Sequence, residues 1–176
     1  MDIYFLRHAS AGESLPDPKQ DEKRPLDDVG VQQSRQMGRV LAKLEVQPDA
    51  IISSPLVRAK QTAALVATEL GFKKTLLLEN CLRPDAKFEQ FRQLLRKHSK
   101  KKGIIVTGHN PTLSEFLSSV VSDEATNKTI ELKKGAVAKV QVKRGQPLLQ
   151  WILTPKSIQA AQETSASRSR PKTSRK

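Results

Sequence analysis

The chain has three histidines, and two of them, His8 and His109, directly follow short strand-like runs. Arg7 stands beside His8, and Arg58 falls one turn into a segment that reads as a helix. Open α/β sheets bind ligands beyond the carboxyl ends of their strands, so this order brings Arg7, His8 and His109 toward one rim. Guanidinium forks match the oxygens of a phosphate-like anion, and helix N-termini add aligned N–H donors. The chemistry open to such a group is the binding and transfer of an anion of this kind. Each residue alone has an ordinary structural explanation, since polar groups at strand ends and in loops are usually just hydrogen-bonded. Their coincidence at three strand ends is what carries weight. The third histidine, His98, lies in the polar run Arg96–Lys102 and reads as a solvated residue.

The elements that must position these residues alternate. Asp2–Arg7 is a short apolar strand, and residues 9–26 read as loop, broken by Gly12, Pro16, Pro18 and Pro25. A helix is predicted over about 28–44, with Asp27 as N-cap and Val31, Ser34, Gly38 and Leu41 on one face. Ala50–Ser53 is a buried strand. Ser54-Pro55 then reads as N-cap plus proline at the first helical position, and the helix runs to Leu70 with Gly71 as its stop. Thr75–Glu79 reads as a strand, Phe88–Lys97 as a helix, and Ile104–Thr107 as a strand buried on both faces. Asn110-Pro111 repeats the cap-plus-proline start before Leu113, Phe116, Leu117, Val120 and Val121 at helical spacing. Strands at about 135–142 and 148–153 form a hairpin turning at Arg144-Gly145-Gln146. The predicted fold is α/β: a single-domain sandwich whose largely parallel mixed sheet has helices on both faces.

A length of 176 residues favours one domain, and the hydrophobic share of 37% suffices for a core. No apolar run approaches the roughly 20 residues of a membrane span. Asp2 and the Arg7-His8 break argue against a secretory leader. Cys81 is the single cysteine, which excludes an intrachain disulfide and a cysteine-based zinc site. The expected location is the cytoplasm. Net charge is +13. The segment from Lys156 onward holds six basic residues against Glu163, which leaves +8 for residues 1–155. A basic body favours anionic partners. Residues 1–156 form the expected domain. Residues 157–176 form a basic tail, disordered from about 158 because it has almost nothing to bury.

Several stretches resemble one known family. Phe5-Leu6-Arg7-His8-Ala9 is similar to the Arg-His signature of the histidine phosphatase superfamily, the phosphoglycerate-mutase-like enzymes. Arg24-Pro25-Leu26-Asp27-Asp28-Val29-Gly30 resembles its Arg-Pro-Leu-Thr-x-x-Gly stretch, with Asp27 in place of the cap threonine. Ser53–Thr62 resembles its second arginine motif, and Val106-Thr107-Gly108-His109-Asn110-Pro111 its second histidine motif. The short chain, Ala9 after Arg-His and the Asn-Pro continuation most resemble the SixA-like phosphohistidine phosphatases.

The resemblance implies a phosphoglycerate-mutase-like fold and a role for each matched residue. His8 is the implied nucleophile, splitting one displacement into two through a phosphohistidine. Arg7, Arg58 and His109 are the implied catalytic phosphate-binding residues. No cofactor and no metal are expected, because cationic side chains neutralise the phosphoryl charge and no clustered carboxylate motif would hold magnesium. Larger relatives place a glutamate as proton donor after the third strand. Here that stretch reads Glu79-Asn80-Cys81-Leu82-Arg83-Pro84-Asp85, and Asp85 is the candidate general acid or else a turn residue.

The favoured reading is a metal-independent phosphatase acting on phosphohistidine in a phosphorylated protein. A small phosphoester or nucleotide-derived metabolite is the alternative within the same chemistry. A noncatalytic phosphate- or nucleic-acid-binding module is the alternative from another class. Nucleic acid is not expected as a partner, because aromatics make up 4% of the chain and most fall on inward patterns. A membrane partner is not expected either, and a monomer is favoured.

Overall fold

The computed structural model describes residues 1–122 and 130–168. Its strands are β1 (Asp2–Arg7), β2 (Ala50–Ser53), β3 (Leu77–Leu78), β4 (Gly103–Gly108), β5 (Val137–Lys143) and β6 (Gln146–Leu153). The helices are α1 (Pro18–Lys23), α2 (Asp28–Lys43), α3 (Val57–Glu69), α4 (Phe88–Lys97), α5 (Thr112–Val121) and α6 (Pro155–Arg168). One six-stranded sheet forms in the order β3-β2-β4-β1-β5-β6. The first four strands of that order run parallel, and β5 and β6 add an antiparallel hairpin.

Alternation along the strands builds the two layers. Ile3, Phe5, Ile52, Ile104 and Val106 face one side, against Phe91 and Leu94 of α4 and Leu113, Phe116 and Leu117 of α5. Tyr4, Leu6, Ile51 and Ile105 face the other, against Met37 and Leu41 of α2 and Ala63 and Val66 of α3. A period of two on strands buried on both faces is what makes these runs continuously apolar. The α/β sandwich read from the sequence is the observed fold.

Asp27 caps α2, its carboxylate accepting the Gly30 N–H at 2.7 Å. Gly71, in the left-handed region at φ 64°, stops α3. The hairpin turns at Arg144-Gly145, both with positive φ.

Five readings need correction. The strand expected over Thr75–Glu79 shrinks to Leu77–Leu78, an exposed edge with little to pack. Helix α3 starts at Val57 rather than at Pro55, although the Ser54 Oγ still accepts the Leu56 N–H at 3.3 Å just before it. Helix α5 starts at Thr112, and the Asn110 side chain instead donates to the Leu132 carbonyl at 2.9 Å. The loop expected over 9–26 contains α1, which Asp17 caps and Pro18 opens. His98 is 5% exposed, not solvated. It follows Phe91 and Leu94 at seven and four residues, so it continues the inner face of α4.

The tail also differs from expectation. Helix α6 covers Pro155–Arg168, where disorder was expected from about 158. Thr154 and Ser157 satisfy each other's backbone and hydroxyl groups at its start. Ile158 is buried against the layer that holds Tyr4 and Leu41. Residues 169–176 lie outside the described part of the chain.

Candidate active site

Parallel register places three strand ends side by side. Arg7 pairs with Gly108, and Ser53 pairs with Thr107. The residues that follow, His8, His109 and Ser54, therefore emerge from adjacent strands at the carboxyl edge of the sheet. Backbone bonds extend the ladder one step further: His8 N–H donates to the Gly108 carbonyl at 3.0 Å and Ser54 N–H to the Thr107 carbonyl at 2.9 Å. The two imidazole rings lie 5.0 Å apart between centroids. His8, Arg58 and His109 are buried. The structure thus brings together the four residues singled out in the sequence.

The segment after His8 is held from several directions. Ala9 N–H donates to Thr62 Oγ1 at 3.1 Å, and Ser10 N–H to Gln33 Oε1 at 3.0 Å. The second oxygen of Asp27 accepts from Ser10 Oγ at 2.7 Å and from Gly12 N–H at 2.9 Å. Arg24 donates to the carbonyls of Ala11 and Gly12. Gly30 permits the close approach of this segment to α2, since a Cβ there would fall 1.9 Å from the Ser10 carbonyl oxygen.

Each arginine is anchored at one end and open at the other. Arg7 Nη1 donates to the Leu132 carbonyl at 2.8 Å. Asn110 Nδ2 donates to that same carbonyl, and Ser114 links Asn110 to the Leu132 N–H. Arg58 Nη1 donates to the Asp21 carbonyl at 2.8 Å and lies 3.2 Å from its carboxylate. Asp21 also binds Arg24 at 2.8 Å, and Arg24, Leu15 N–H and Arg58 keep its carboxyl below the usual range. Among the described residues, six buried side-chain atoms lack a partner: both ring nitrogens of His98, the Thr107 hydroxyl and, on the candidate site residues, Arg7 Nε, Arg58 Nε and His109 Nδ1. Buried polar groups are nearly always satisfied, so three orphans on three candidate residues point to an acceptor supplied by a ligand.

The sequence singles out Ser54 only as a helix cap and does not single out Asp21 at all. Asp17-Pro18 was the available signal for the helix that carries Asp21. Nothing local shows that this helix lies over Arg58, 37 residues away. Asp85, the candidate acid, stands exposed with φ 66° in the loop before α4. Its backbone N–H donates to Thr112 Oγ1 at 3.2 Å, while its carboxylate makes no hydrogen bond among the described residues. Glu79 is paired with Lys97 at 3.1 Å. Arg83, in the same loop, pairs with Glu22 of α1 and is one of the cations that press on His109.

The electrostatics follow from burial among cations. Burial pushes His8 down to about 4; the Ala9 carbonyl opposes it, and the nearby Arg58, Arg7 and Arg24 add smaller effects in the direction of burial. Burial, then His8, Arg58 and Arg83, pushes His109 down to about 2. Both rings are neutral at pH 7. Nδ1 of His8 lies 2.8 Å from the Ala9 carbonyl, an acceptor only, so Nδ1 carries the hydrogen and Nε2 keeps its lone pair.

A pH dependence of stability follows. Unfolded histidine titrates near pH 6.5. A native value below that means the unfolded chain takes up protons first as the pH falls. The contribution of these rings is therefore complete above about pH 6.5 and is lost as the pH drops toward about 4 for His8 and about 2 for His109. Going from pH 7 to pH 5 is expected to cost on the order of 2 kcal/mol for each ring. Urea unfolding at the two pH values checks this, and equal midpoints would show that the rings are not held neutral.

Known proteins resemble this chain in sequence and in fold. Residues 3–84 match the family model of the histidine phosphatase superfamily (branch 1). The chain is 29% identical over 140 residues to an uncharacterized protein of Picosynechococcus sp., covering 78% of this chain and 82% of that one. It is 34% identical over 79 residues to the mitochondrial serine/threonine-protein phosphatase Pgam5 of Drosophila persimilis, covering 45% of this chain and 26% of that one. Its fold matches that of the protein histidine phosphatase SixA complexed with tungstate at a TM-score of 0.80 and 20% identity, covering 90% of this chain and 99% of that one. Residues 3–84 thus carry the sequence pattern of the histidine phosphatase superfamily, and the chain shares the fold of SixA. No helix among the described residues is long and apolar enough to cross a membrane.

Proposed function

We propose that the chain is a phosphatase that works through a phosphohistidine on His8, with phosphohistidine in a protein as its substrate. The observation that carries this reading is the set of open donors, Arg7 Nε, Arg58 Nε and His109 Nδ1, around a histidine whose lone pair is free. In the first step His8 Nε2 forms a bond to phosphorus and the bond to the leaving group breaks. The resulting phosphoimidazolium keeps its Nδ1–H on the Ala9 carbonyl, a bond that strengthens as the ring becomes positive. In the second step water attacks phosphorus and His8 departs as a neutral imidazole, so the enzyme is regenerated. Arg7, Arg58 and His109 hold the phosphoryl oxygens throughout, and positioning and charge stabilisation supply most of the acceleration. The tungstate bound to SixA, an oxyanion shaped like phosphate, supports an anion seat of this kind in the shared fold.

The choice of phosphohistidine rests on the 79–87 loop. Glu79 is engaged by Lys97, the Asp85 carboxylate has no hydrogen bond among the described residues, and the loop presents Arg83 to the site. A leaving imidazole protonated on its far nitrogen departs without an enzymic acid, because its pKa lies near 6.5. A second reading, an ester substrate, is favoured by the similarity to Pgam5, which is a serine/threonine-protein phosphatase. Assay of a phosphohistidine protein, an aryl phosphate and alkyl phosphates side by side, with chelator present, separates the two. Turnover of the phosphohistidine protein and of the aryl phosphate supports the first reading, and efficient turnover of alkyl phosphates supports the second.

Arg58→Lys keeps the charge but loses the fork that reaches Asp21 with one nitrogen and leaves Nε for the phosphoryl group. Activity is expected to fall at least about tenfold, equivalent to about 1.4 kcal/mol. Vanadate binding should weaken in parallel. Unchanged activity and vanadate affinity would place Arg58 outside the site.

A further inference from the structure

Ser54 occupies a position that the phosphatase reading does not yet use. It is fully buried at the end of β2. Its Oγ lies 2.9 Å from His109 Nε2 and accepts the Leu56 N–H at 3.3 Å. The neighbouring Ser53 hydroxyl is spent on the Ser54 carbonyl at 2.9 Å. The Ser54 hydroxyl carries one hydrogen that needs an acceptor. Among the described residues, the lone pair of His109 Nε2 is the acceptor within reach.

The two possible tautomers of His109 differ sharply in cost. With the hydrogen on Nε2, Ser54 Oγ would accept twice and its own hydrogen would be buried without an acceptor. The bare Nδ1 lone pair of His109 would then also be buried without a donor. With the hydrogen on Nδ1, the Ser54 O–H donates to Nε2, and the only group left over is the Nδ1–H. A single orphan that a ligand oxygen satisfies is cheaper than two orphans in a buried site.

We infer that Ser54 is a positioning residue that fixes His109 in the Nδ1–H tautomer, so that the ring faces the phosphoryl group as a hydrogen-bond donor. The two histidines then share a tautomer and play opposite roles. His8 spends its Nδ1–H on the Ala9 carbonyl and shows phosphorus a lone pair. His109 spends its lone pair on the Ser54 hydroxyl and shows the phosphoryl oxygen an N–H. As a neutral ring His109 stabilises charge but has no proton to give up to a leaving group. This assignment rests on the phosphatase reading only for what the N–H binds; the tautomer itself is a property of the free protein.

The test begins with the wild-type chain. Nitrogen-15 chemical shifts of His109 at pH 7 are expected to show a protonated Nδ1 and a bare Nε2. Ser54→Ala should give a mixture of tautomers and weaken vanadate binding about tenfold, the size of one lost charge-assisted hydrogen bond. Ser54→Thr, which restores a hydroxyl, should recover much of both. A merely structural role for Ser54 would not move the nitrogen shifts of a folded variant. A hydrogen on Nε2 in the wild-type chain overturns the inference, as does a Ser54→Ala protein with unchanged tautomer and vanadate affinity. A chain that meets the tautomer and vanadate expectations yet hydrolyses no phosphorylated compound refutes the phosphatase reading and leaves the Ser54 assignment standing.

Discussion

His8→Ala is expected to abolish turnover, a loss of at least about 10⁴-fold, the scale seen when a nucleophile is removed from a covalent mechanism. Arg7, Arg58 and His109 remain in that variant, so vanadate should still bind. The loss should therefore fall on kcat rather than on affinity for the anion. Removing the ring also removes a group that burial and Arg58 hold neutral. The variant is accordingly expected to lose part of the acid sensitivity of stability between pH 7 and pH 5 while unfolding at a similar midpoint at pH 7. A His8→Ala protein that hydrolyses substrate at a rate comparable to wild type would sink the mechanism.

Phosphoserine should be a poor substrate relative to phosphohistidine, by a factor of about 10²–10⁴, the usual contribution of general acid catalysis. An alkoxide cannot depart without a proton, and the 79–87 loop presents no engaged carboxyl to give one. Glu79 is tied to Lys97, and Asp85 stands exposed in the left-handed region with only its backbone fixed. Asp85→Asn should therefore leave the phosphohistidine rate within about twofold, since the leaving imidazole needs no assistance. Comparable kcat/KM for the two substrates, with a large loss on phosphoserine in Asp85→Asn, would establish Asp85 as the acid and favour the ester reading.

The layers and the juxtaposition of the candidate site residues were legible in the sequence for a shared reason. Runs such as Ile104–Val106 are buried on both faces, and a residue that follows such a run must emerge at the edge of the sheet. That logic located Arg7, His8 and His109, and the helix after β2 located Arg58. What stayed hidden depends on contacts between distant segments. Asp21 reads as one carboxylate in a proline-rich loop, and only the packing of α1 over α3 brings it to Arg58. The contact of the Ser54 hydroxyl with His109 is likewise set by the neighbouring strand. His98 was masked by its composition. Lysines on either side suggested a solvated turn, although its spacing from Phe91 and Leu94 already placed it on the buried face of α4. The tail was judged on composition as well, and one residue, Ile158, supplies the apolar contact that seats α6 on the body.

The most direct test of the mechanism is the chemical identity of the enzyme-bound phosphate during turnover. Rapid quenching of the chain with a phosphohistidine protein or an aryl phosphate, followed by mapping of the labelled residue, is expected to find acid-labile, alkali-stable phosphate on His8. The bond should be to Nε2, the nitrogen left bare by the Nδ1 bond to the Ala9 carbonyl. Turnover with no phosphate on His8, or with phosphate on another residue, would contradict the account.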